Sequence, residues 1–243
     1  MRLTMKKAII IGASSGIGKE LAIILAKNGY EVGLMARRTE LLDALKNEVP
    51  AKSHIGHIDI SKVSDAIDKL RNMIQTMQGV DLVVINSGTG FLNSELDWSK
   101  EQQTIDVNVY GFCALAGEVY KFFAKQGYGH LVGISSIGAL RGNPIAPAYN
   151  ASKAFMSNYL EGLRKKAFQE KLAITVTDIK PGFVDTDMAK GEGKFWVATP
   201  QEAAKQIYIA INKQKNHAYI THRWQLVGWV LKLMPDWLYQ RIG

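Results

Sequence analysis

With 243 residues, 47% of them apolar and 21% charged, the chain is long enough for one large α/β domain and has the composition of an ordinary globular protein. One cysteine, Cys113, excludes an internal disulfide, and the five histidines (His54, His57, His130, His217 and His222) do not stand with it at ligand spacing, so no metal site is expected. A net charge of +8 would suit an anionic cofactor, a nucleic acid or an anionic membrane, but the Lys and Arg residues are spread along the chain without a nucleic-acid motif, which removes nucleic acid from the expected partners.

The apolar run Ala8 to Ile11 near the start is too short for a signal core and lacks a cleavage site. No run of 18 apolar residues follows, so a cytoplasmic chain without a spanning helix is expected. Lys7 to Gly12 reads as a buried strand. It leads into G-A-S-S-G-I-G, Gly12 to Gly18, and then into a helical pattern, Lys19 to Asn28, with Leu21, Ile24 and Leu25 on one face and Gly29 as the stop. In a strand–turn–helix unit, Gly12 permits the tight turn, Gly16 lets a pyrophosphate approach the backbone, and Gly18 lets helix and strand pack closely. Ser14, Ser15 and Ile17 complete the turn, where the helix start offers free N–H groups and a positive dipole end. The spacing is G-x-x-x-G-x-G rather than the commoner G-x-G-x-x-G, and the context favours nucleotide binding over a plain structural turn.

Glu31 to Ala36 is the second strand and ends in Arg37 and Arg38. An acid at this point would bind the ribose hydroxyls of NAD, whereas an arginine accommodates the 2′-phosphate of NADP. No acid lies between Glu31 and Glu40, so NADP is expected over NAD; the plainer reading is a pair of surface arginines opening a helix. Leu41 to Val49 is a helix, and His54 to Ile60 a third strand carrying Asp59 and Ile60 at its end, near where an adenine would lie. Val63 to Met77 is a helix, and Asp81 to Ile85 a buried strand ending in the small-residue turn Asn86-Ser87-Gly88, which lets the chain pass close to a cofactor. Ser99 to Gln126 is a long helical region. Within it, Asn108 is a polar residue between Val107 and Val109. It either bends the helix by bonding nearby backbone or holds a water near Lys153.

His130 to Ser135 is the fifth strand, with Ser136 at its end, and Tyr149 to Gln169 a long helix. Tyr149 and Lys153 stand at i and i+4 and so share one helix face. A free Tyr has a pKa of ~10; bringing it to ~7 takes roughly 4 kcal/mol, which a nearby cation can supply. The Ser136 hydroxyl can then hold a substrate oxygen beside the phenol. A Tyr–Lys pair by itself equally fits a solvated helix face. Leu172 to Ile179 is a sixth strand, followed by Pro181-Gly182-Phe183-Val184-Asp185-Thr186. Residues 187–198, with two glycines, Met188, Phe195 and Trp196, have the composition of a lid. Pro200 to Asn212 is a helix and His217 to Thr221 a seventh strand. Alternating strands and helices imply a parallel sheet with right-handed crossovers and ligands at the C-terminal strand ends. One catalytic domain over residues 1–222, with residues 223–243 as an extension, is expected.

Together, Gly12 to Gly18, Asp59, Asn86 to Gly88, Asn108, Ser136, Tyr149 with Lys153, and Pro181 to Thr186 resemble the short-chain dehydrogenase/reductase family over residues 6–221. The resemblance implies an α/β, Rossmann-like doubly wound parallel sheet of about seven strands with helices on both faces. It implies an NADP(H)-dependent oxidoreductase that interconverts a carbonyl and an alcohol through an Asn108-Ser136-Tyr149-Lys153 tetrad. Tyr149 would be the general acid/base and a cofactor contact, Ser136 the holder of the substrate oxygen, Lys153 the acidifier of Tyr149 and a ligand of the nicotinamide ribose. The remaining dinucleotide contacts would come from Gly12, Ser14, Ser15, Gly16, Ile17, Gly18, Arg37, Arg38, Asp59, Ile60, Asn86, Ser87, Gly88, Pro181, Gly182, Val184 and Thr186. Ile11, Ile85 and Ser87 depart from the family pattern and weaken a local hydrogen bond or two. A catalytically silent dinucleotide sensor is the alternative in another class, and the complete tetrad argues against it.

The tail departs further. Many family members end in a strand and a glycine-rich segment that packs in a tetramer. Here Trp224, Leu226, Val227, Trp229, Val230, Leu231, Leu233 and Met234 crowd together, followed by Trp237, Leu238 and Tyr239, with Arg223, Lys232 and Arg241 as cations. Such an amphipathic helix can pack on its own domain, cover a partner subunit in a homo-oligomer, or lie in a membrane interface. The last case is similar to the lipid-handling branch of the family, such as ketosphinganine reductases. It would make the chain a membrane-associated lipid ketone reductase, peripheral at the inner membrane face.

Overall fold

The first strand sets the architecture. In β1 (Lys6–Ile11) the side chains of Ala8 and Ile10 point to one face and those of Ile9 and Ile11 to the other, and all four are buried. A strand apolar on both sides needs cover on both sides. The structure is a computed structural model and describes residues 5–186 and 195–241. Six further strands follow: β2 (Tyr30–Ala36), β3 (Ser53–His57), β4 (Leu82–Ile85), β5 (Tyr128–Ile134), β6 (Ala173–Pro181) and β7 (His217–Ile220). They pair in the order β3-β2-β1-β4-β5-β6-β7, every neighbour parallel. The chain reverses its direction of travel across the sheet between β1 and β4, where Ile11 stands level with both Met35 and Ile85. That reversal opens a crevice above the strand ends.

The helices are α1 (Gly16–Lys27), α2 (Thr39–Glu48), α3 (Val63–Thr76), α4 (Trp98–Ile105), α5 (Phe112–Gln126), α6 (Pro147–Gln169), α7 (Pro200–Asn212), α8 (Arg223–Leu233) and α9 (Asp236–Tyr239). One core, around Ala8, Ile10, Leu21, Leu25, Leu42 and Ile207, lies under α1, α2 and α7. The other, around Ile9, Ile11, Leu70, Phe112, Phe123 and Leu160, lies under α3, α5 and α6. The fold is therefore the α/β, doubly wound sheet of seven strands expected from the alternation of elements. No helix among the described residues is long and apolar enough to cross a membrane.

Three local differences from the sequence reading have physical causes. The third strand ends at His57, and Asp59 and Ile60 fall in the turn after it, because Asp59 Oδ1 accepts from both the amide (3.0 Å) and the hydroxyl (2.8 Å) of Ser61 and curls the chain. The helix expected from Ser99 to Gln126 is interrupted by a π-helical turn, Asp106–Gly111, between α4 and α5. A π turn accommodates one residue more than an α turn and so redirects side chains; here it turns Asn108 inward to full burial. The third lies in the tail, which is two helices broken at Pro235. α8 packs by Trp224 and Gly228 on β7 and on the short 3₁₀ turn Ile137–Leu140; a Cβ on Gly228 would lie 2.7 Å from the Tyr219 ring and 3.3 Å from Leu140.

Candidate active site

Ser136 caps the 3₁₀ turn that follows β5. Its Oγ accepts from the Gly138 amide at 3.0 Å, which fixes the side chain at the mouth of the crevice. Tyr149 sits in the first turn of α6, pre-set by Pro147 at the helix start. Lys153, one turn on and only 3% exposed, donates to the Ile134 carbonyl at 3.0 Å, and its Nζ lies 5.8 Å from the centre of the Tyr149 ring. The chain after β4 runs across both. A Cβ on Gly88 would stand 3.1 Å from Lys153 Nζ and 3.3 Å from Asn108 Oδ1, and one on Gly90 only 2.3 Å from the Tyr149 ring. Both amide hydrogens of Asn108 are used and one lone pair of its oxygen: Oδ1 accepts from the Thr89 amide (2.9 Å), while Nδ2 donates to the Thr89 carbonyl (2.7 Å) and to Ser152 Oγ (2.9 Å). Ser152 in turn donates to the Tyr149 carbonyl at 2.7 Å. Asn108 thus straps the loop after β4 to the first turns of α6.

The electrostatics run differently from the sequence expectation that Lys153 acidifies Tyr149. Burial pushes the Tyr149 phenol up, with the neighbouring Ser136 hydroxyl pulling the other way. Burial also pushes the Lys153 ammonium down to about 8. Both groups lose more from leaving water than they gain from each other, because the ammonium is aimed at the Ile134 carbonyl and stands off the phenol ring.

The second half of the crevice is built by glycines. Gly12, at φ +92°, lets the turn pass Ser87, whose amide would be 2.6 Å from a Cβ there. Asn86 Nδ2 donates to the Gly12 carbonyl at 2.8 Å, and a Cβ on Gly18 would lie 2.1 Å from that same carbonyl. Only glycine at position 18 allows α1 to start this close to β1 and β4. At the start of α1 the cap residue Ser15 makes no side-chain bond to the helix, which leaves the first-turn amides directed outward with Ser14, Gly16 and Ile17 around them. The Arg38 guanidinium reaches Ser15 Oγ at 2.8 Å and Ser14 Oγ at 3.3 Å. Burial would raise the Asp59 carboxyl, but the Ser61 hydrogen bonds, Arg37 and Lys62 hold it below its ordinary range. Ile60 is buried, and a Cβ on Gly111 would lie 2.3 Å from the Ile60 carbonyl. Uncapped helix amides, a glycine cradle and a flanking guanidinium fit the pyrophosphate and ribose of a dinucleotide.

Residues 6–195 match the model of the short chain dehydrogenase family. The chain belongs to that family. An uncharacterized oxidoreductase of Myxococcus xanthus is 35% identical over 191 residues, which is 76% of this chain and 75% of that protein. One of Mycobacterium tuberculosis is 29% identical over 90% of this chain and 89% of its own length. Among solved structures, an alcohol dehydrogenase of Thermococcus sibiricus complexed with 5-hydroxy-NADP superimposes with a TM-score of 0.80 at 23% identity, covering 90% of this chain and 98% of that one. An acetoin dehydrogenase of Salmonella typhimurium gives 0.77 at 21% identity, covering 92% and 97%. As a short-chain dehydrogenase the protein is an NAD(P)-dependent oxidoreductase of the CH–OH/C=O pair.

The remaining wall of this short-chain dehydrogenase site comes from the segment after β6. Val184 and Ala198 form a parallel bridge, with Asp185 N donating to the Ala198 carbonyl at 2.9 Å and Ala198 N to the Phe183 carbonyl at 3.0 Å. Thr186 closes on Gly16, its methyl 3.0 Å from where a Cβ would be. Residues 187–194 of the expected lid lie outside the described residues. Phe195 and Trp196 gather with Phe183 around Trp224: ring centres are 5.0 Å apart for Phe195–Trp224 and 5.3 Å for Phe183–Trp224. Gly182, after the buried Pro181, admits that indole, which would be 2.1 Å from a Cβ. Below Ser136, Ser135 and Ser157 donate to Asp178, which also contacts the Lys180 ammonium. Despite that contact Lys180 is pushed down to about 8, by burial and by the cations Lys232 and Arg164.

Sequence reasoning missed Thr89, Gly90, Ser152 and Trp224 as parts of the site. Gly90 had a readable signal, a second glycine two residues after Gly88 in N-S-G-T-G. Ser152 and Trp224 had none, since their partners are distant in sequence.

Proposed function

We propose that this short-chain dehydrogenase interconverts an apolar ketone or aldehyde and its alcohol with NADP(H), with Tyr149 exchanging the proton. The observation that carries the reading is the convergence of Ser136, Tyr149 and Lys153, braced by Asn108, on the C-terminal ends of β4 and β5, beside a glycine cradle. When bound, the nicotinamide supplies or accepts the hydride at the carbonyl carbon. The chain does the rest. Ser136 Oγ, held by Gly138, donates its hydrogen to the substrate oxygen. Tyr149 gives that oxygen a proton as negative charge develops, and takes it back in oxidation. A phenol raised by burial stays protonated at neutral pH and is ready to donate. Lys153, still largely protonated at pH 7 and beside the Tyr149 ring, then stabilises the phenolate; a cation a few Å from a phenolate contributes on the order of 3 kcal/mol at an effective dielectric of about 20. Its remaining hydrogens suit the nicotinamide ribose and a water near Asn108.

For the dinucleotide, Gly12 and Ser14 to Gly18 would hold the pyrophosphate, and Asp59 and Ile60 the adenine. Asn86 to Gly88 would pass beneath, with Pro181, Gly182, Val184 and Thr186 closing the nicotinamide end. NADP is favoured over NAD because Arg37 and Arg38 end β2 where an acid would be needed for the ribose hydroxyls, and the Arg38 guanidinium already lies on Ser14 and Ser15. An apolar substrate is favoured by the half-exposed Phe195 and Trp196, which pack with Phe183 on the buried Trp224. The test is reduction of a carbonyl panel by wild type and Tyr149→Phe. NADPH should exceed NADH in kcat/KM by at least about tenfold, and the variant should still bind NADPH while losing roughly 10³-fold in rate. Near-wild-type turnover by Tyr149→Phe would rule out the proton-donor role.

A further inference from the structure

α8 is apolar on two opposite sides. Trp224, Val227, Gly228 and Leu231 recur at helical spacing on the side turned to the protein, with Trp224 only 3% exposed. Leu226, Trp229, Val230 and Leu233 recur at i, i+3, i+4 and i+7 on the other side, and are 62%, 57%, 50% and 83% exposed. Trp237 of α9 continues that outer stripe at 62%. A helix apolar all round belongs either in a core or in lipid, and α8 has core on one side only. The stripe is not a frayed end. Arg141 donates to the carbonyls of Leu231 (2.9 Å) and Met234, pairs with Asp236 (2.7 Å) and stacks on Tyr239, whose hydroxyl donates to the Gly142 carbonyl at 2.6 Å. The tail is therefore anchored while its outer face meets solvent.

The charge around the stripe chooses the partner. Between Glu202 and Asp236 the sequence holds Lys205, Lys213, Lys215, Arg223 and Lys232 and no acid at all. Arg223 and Lys232 flank the stripe on either side of the helix, and Arg241 lies over the Trp237 ring at 5.8 Å. Toward the C-terminal end of α8, Lys232 is within electrostatic reach of Lys180 and His217, which Arg164 also faces, with Glu161 near both and Asp178 buried against Lys180 as the acids. Asp236 is already engaged by Arg141. A second copy placed across the stripe would bring cation against cation. A surface with an apolar interior and anionic head groups meets both features, since Trp sits at the head-group level and Lys and Arg stems reach past the apolar stripe to phosphate.

We infer that the outer face of α8 and α9 is a docking surface for an anionic phospholipid membrane, Leu226, Trp229, Val230 and Leu233 entering the interface and Arg223, Lys232 and Arg241 engaging the head groups. The inference is independent of the reaction proposed above.

The test is co-sedimentation of the whole chain with vesicles of phosphatidylcholine alone and of phosphatidylcholine with phosphatidylglycerol. Binding should be at least about tenfold stronger to the anionic vesicles and should fall with added salt. A Trp229→Ser/Leu233→Ser variant should keep its thermal transition and bind those vesicles about a hundredfold more weakly. Failure of the wild type to sediment with anionic vesicles overturns the inference, as does unchanged binding by the double variant. So does a wild-type oligomer, seen by analytical ultracentrifugation without lipid, that the double variant dissociates, because the stripe would then be covered by a second copy.

Discussion

α6 and α8 break the rule of apolar inside and polar outside in opposite directions. α6 buries Asn150, Ser152 and Lys153, at 9%, 2% and 3% exposure, whereas α8 leaves Leu226, Trp229 and Leu233 in solvent. Each buried polar group on α6 has found a partner: Asn150 the Arg141 carbonyl at 2.8 Å, Ser152 the Tyr149 carbonyl and Asn108, Lys153 the Ile134 carbonyl. Leu226, Trp229 and Leu233 on α8 are apolar and lie open to solvent. Departures from the rule are informative because both cost stability, so they persist where something other than folding requires them. On the readings proposed above, the requirement on α6 is chemistry inside the crevice, and on α8 a partner outside the chain.

Removing the most costly departure should separate activity from stability. In Lys153→Met the buried ammonium becomes an apolar group of similar length. Reduction should fall by roughly 10² to 10⁴, since the phenolate loses its cation. The thermal transition should rise, since a desolvated charge held by one carbonyl is worse for folding than a packed thioether. A variant that loses activity and stability together would mean that Lys153 is primarily structural.

Trp224 is the position at which the tail and the crevice meet. Trp224→Ala should cost about 3 kcal/mol, at the low end for a buried Trp, because its indole N–H has no partner among the described residues and its loss relieves that cost. Calorimetry of the variant measures this directly. A change below about 1 kcal/mol would place α8 outside the cooperative unit and make the tail an appendage.

The Lys153 comparison can also be read through pH. The Lys153 ammonium loses its proton near 8 in the folded chain and near the ordinary lysine value, about 10.5, when unfolded. Between those values the unfolded state binds more protons, so stability should rise with pH. Lys180, also pushed down to about 8, adds to the same slope. Above about 10 the rise should reverse, because Tyr149 and Tyr159 are raised by burial and hold protons that the unfolded chain gives up. Carbonyl reduction should move the other way, falling above pH about 8 as the cation beside Tyr149 is lost. Chemical denaturation and kcat followed from pH 7 to about pH 10 test the pair of slopes; parallel slopes would disconnect Lys153 from the reaction.

What the sequence made legible was what short-range patterns control. Alternation in Lys6–Ile11 and glycine spacing in Gly12 to Gly18 depend on neighbours a few residues away, and both carried through to β1 and the start of α1. The position of Asn108 in an apolar run was readable, but not its partners: they are Thr89, 19 residues back, and Ser152, 44 residues on. The seat of Trp224 against Gly182 and the anchoring of α8 by Arg141, 90 residues from Leu231, were likewise invisible, because nothing local marks which loop a tail will meet. The directions of the Tyr149 and Lys153 shifts were beyond reach for a different reason. Spacing says that two groups share a face; it does not say how much water each loses.

The smallest expected effect is the sharpest statement about α8. Trp229 lies on the same helix as Trp224, five residues on, yet 57% of it is exposed against 3%. Trp229→Ser should therefore change the stability of the free protein by less than about 0.5 kcal/mol, and dehydrogenase activity on a water-soluble carbonyl should be unaltered. Same residue type and same helix remove propensity and backbone from the comparison, leaving burial as the variable. If Trp229→Ser destabilised the chain as much as Trp224→Ala, the outer stripe would be packed in solution by the chain itself or by a second copy, and the contrast between α6 and α8 would dissolve. If it did not, the outer Trp is retained for a partner that the free chain does not contain.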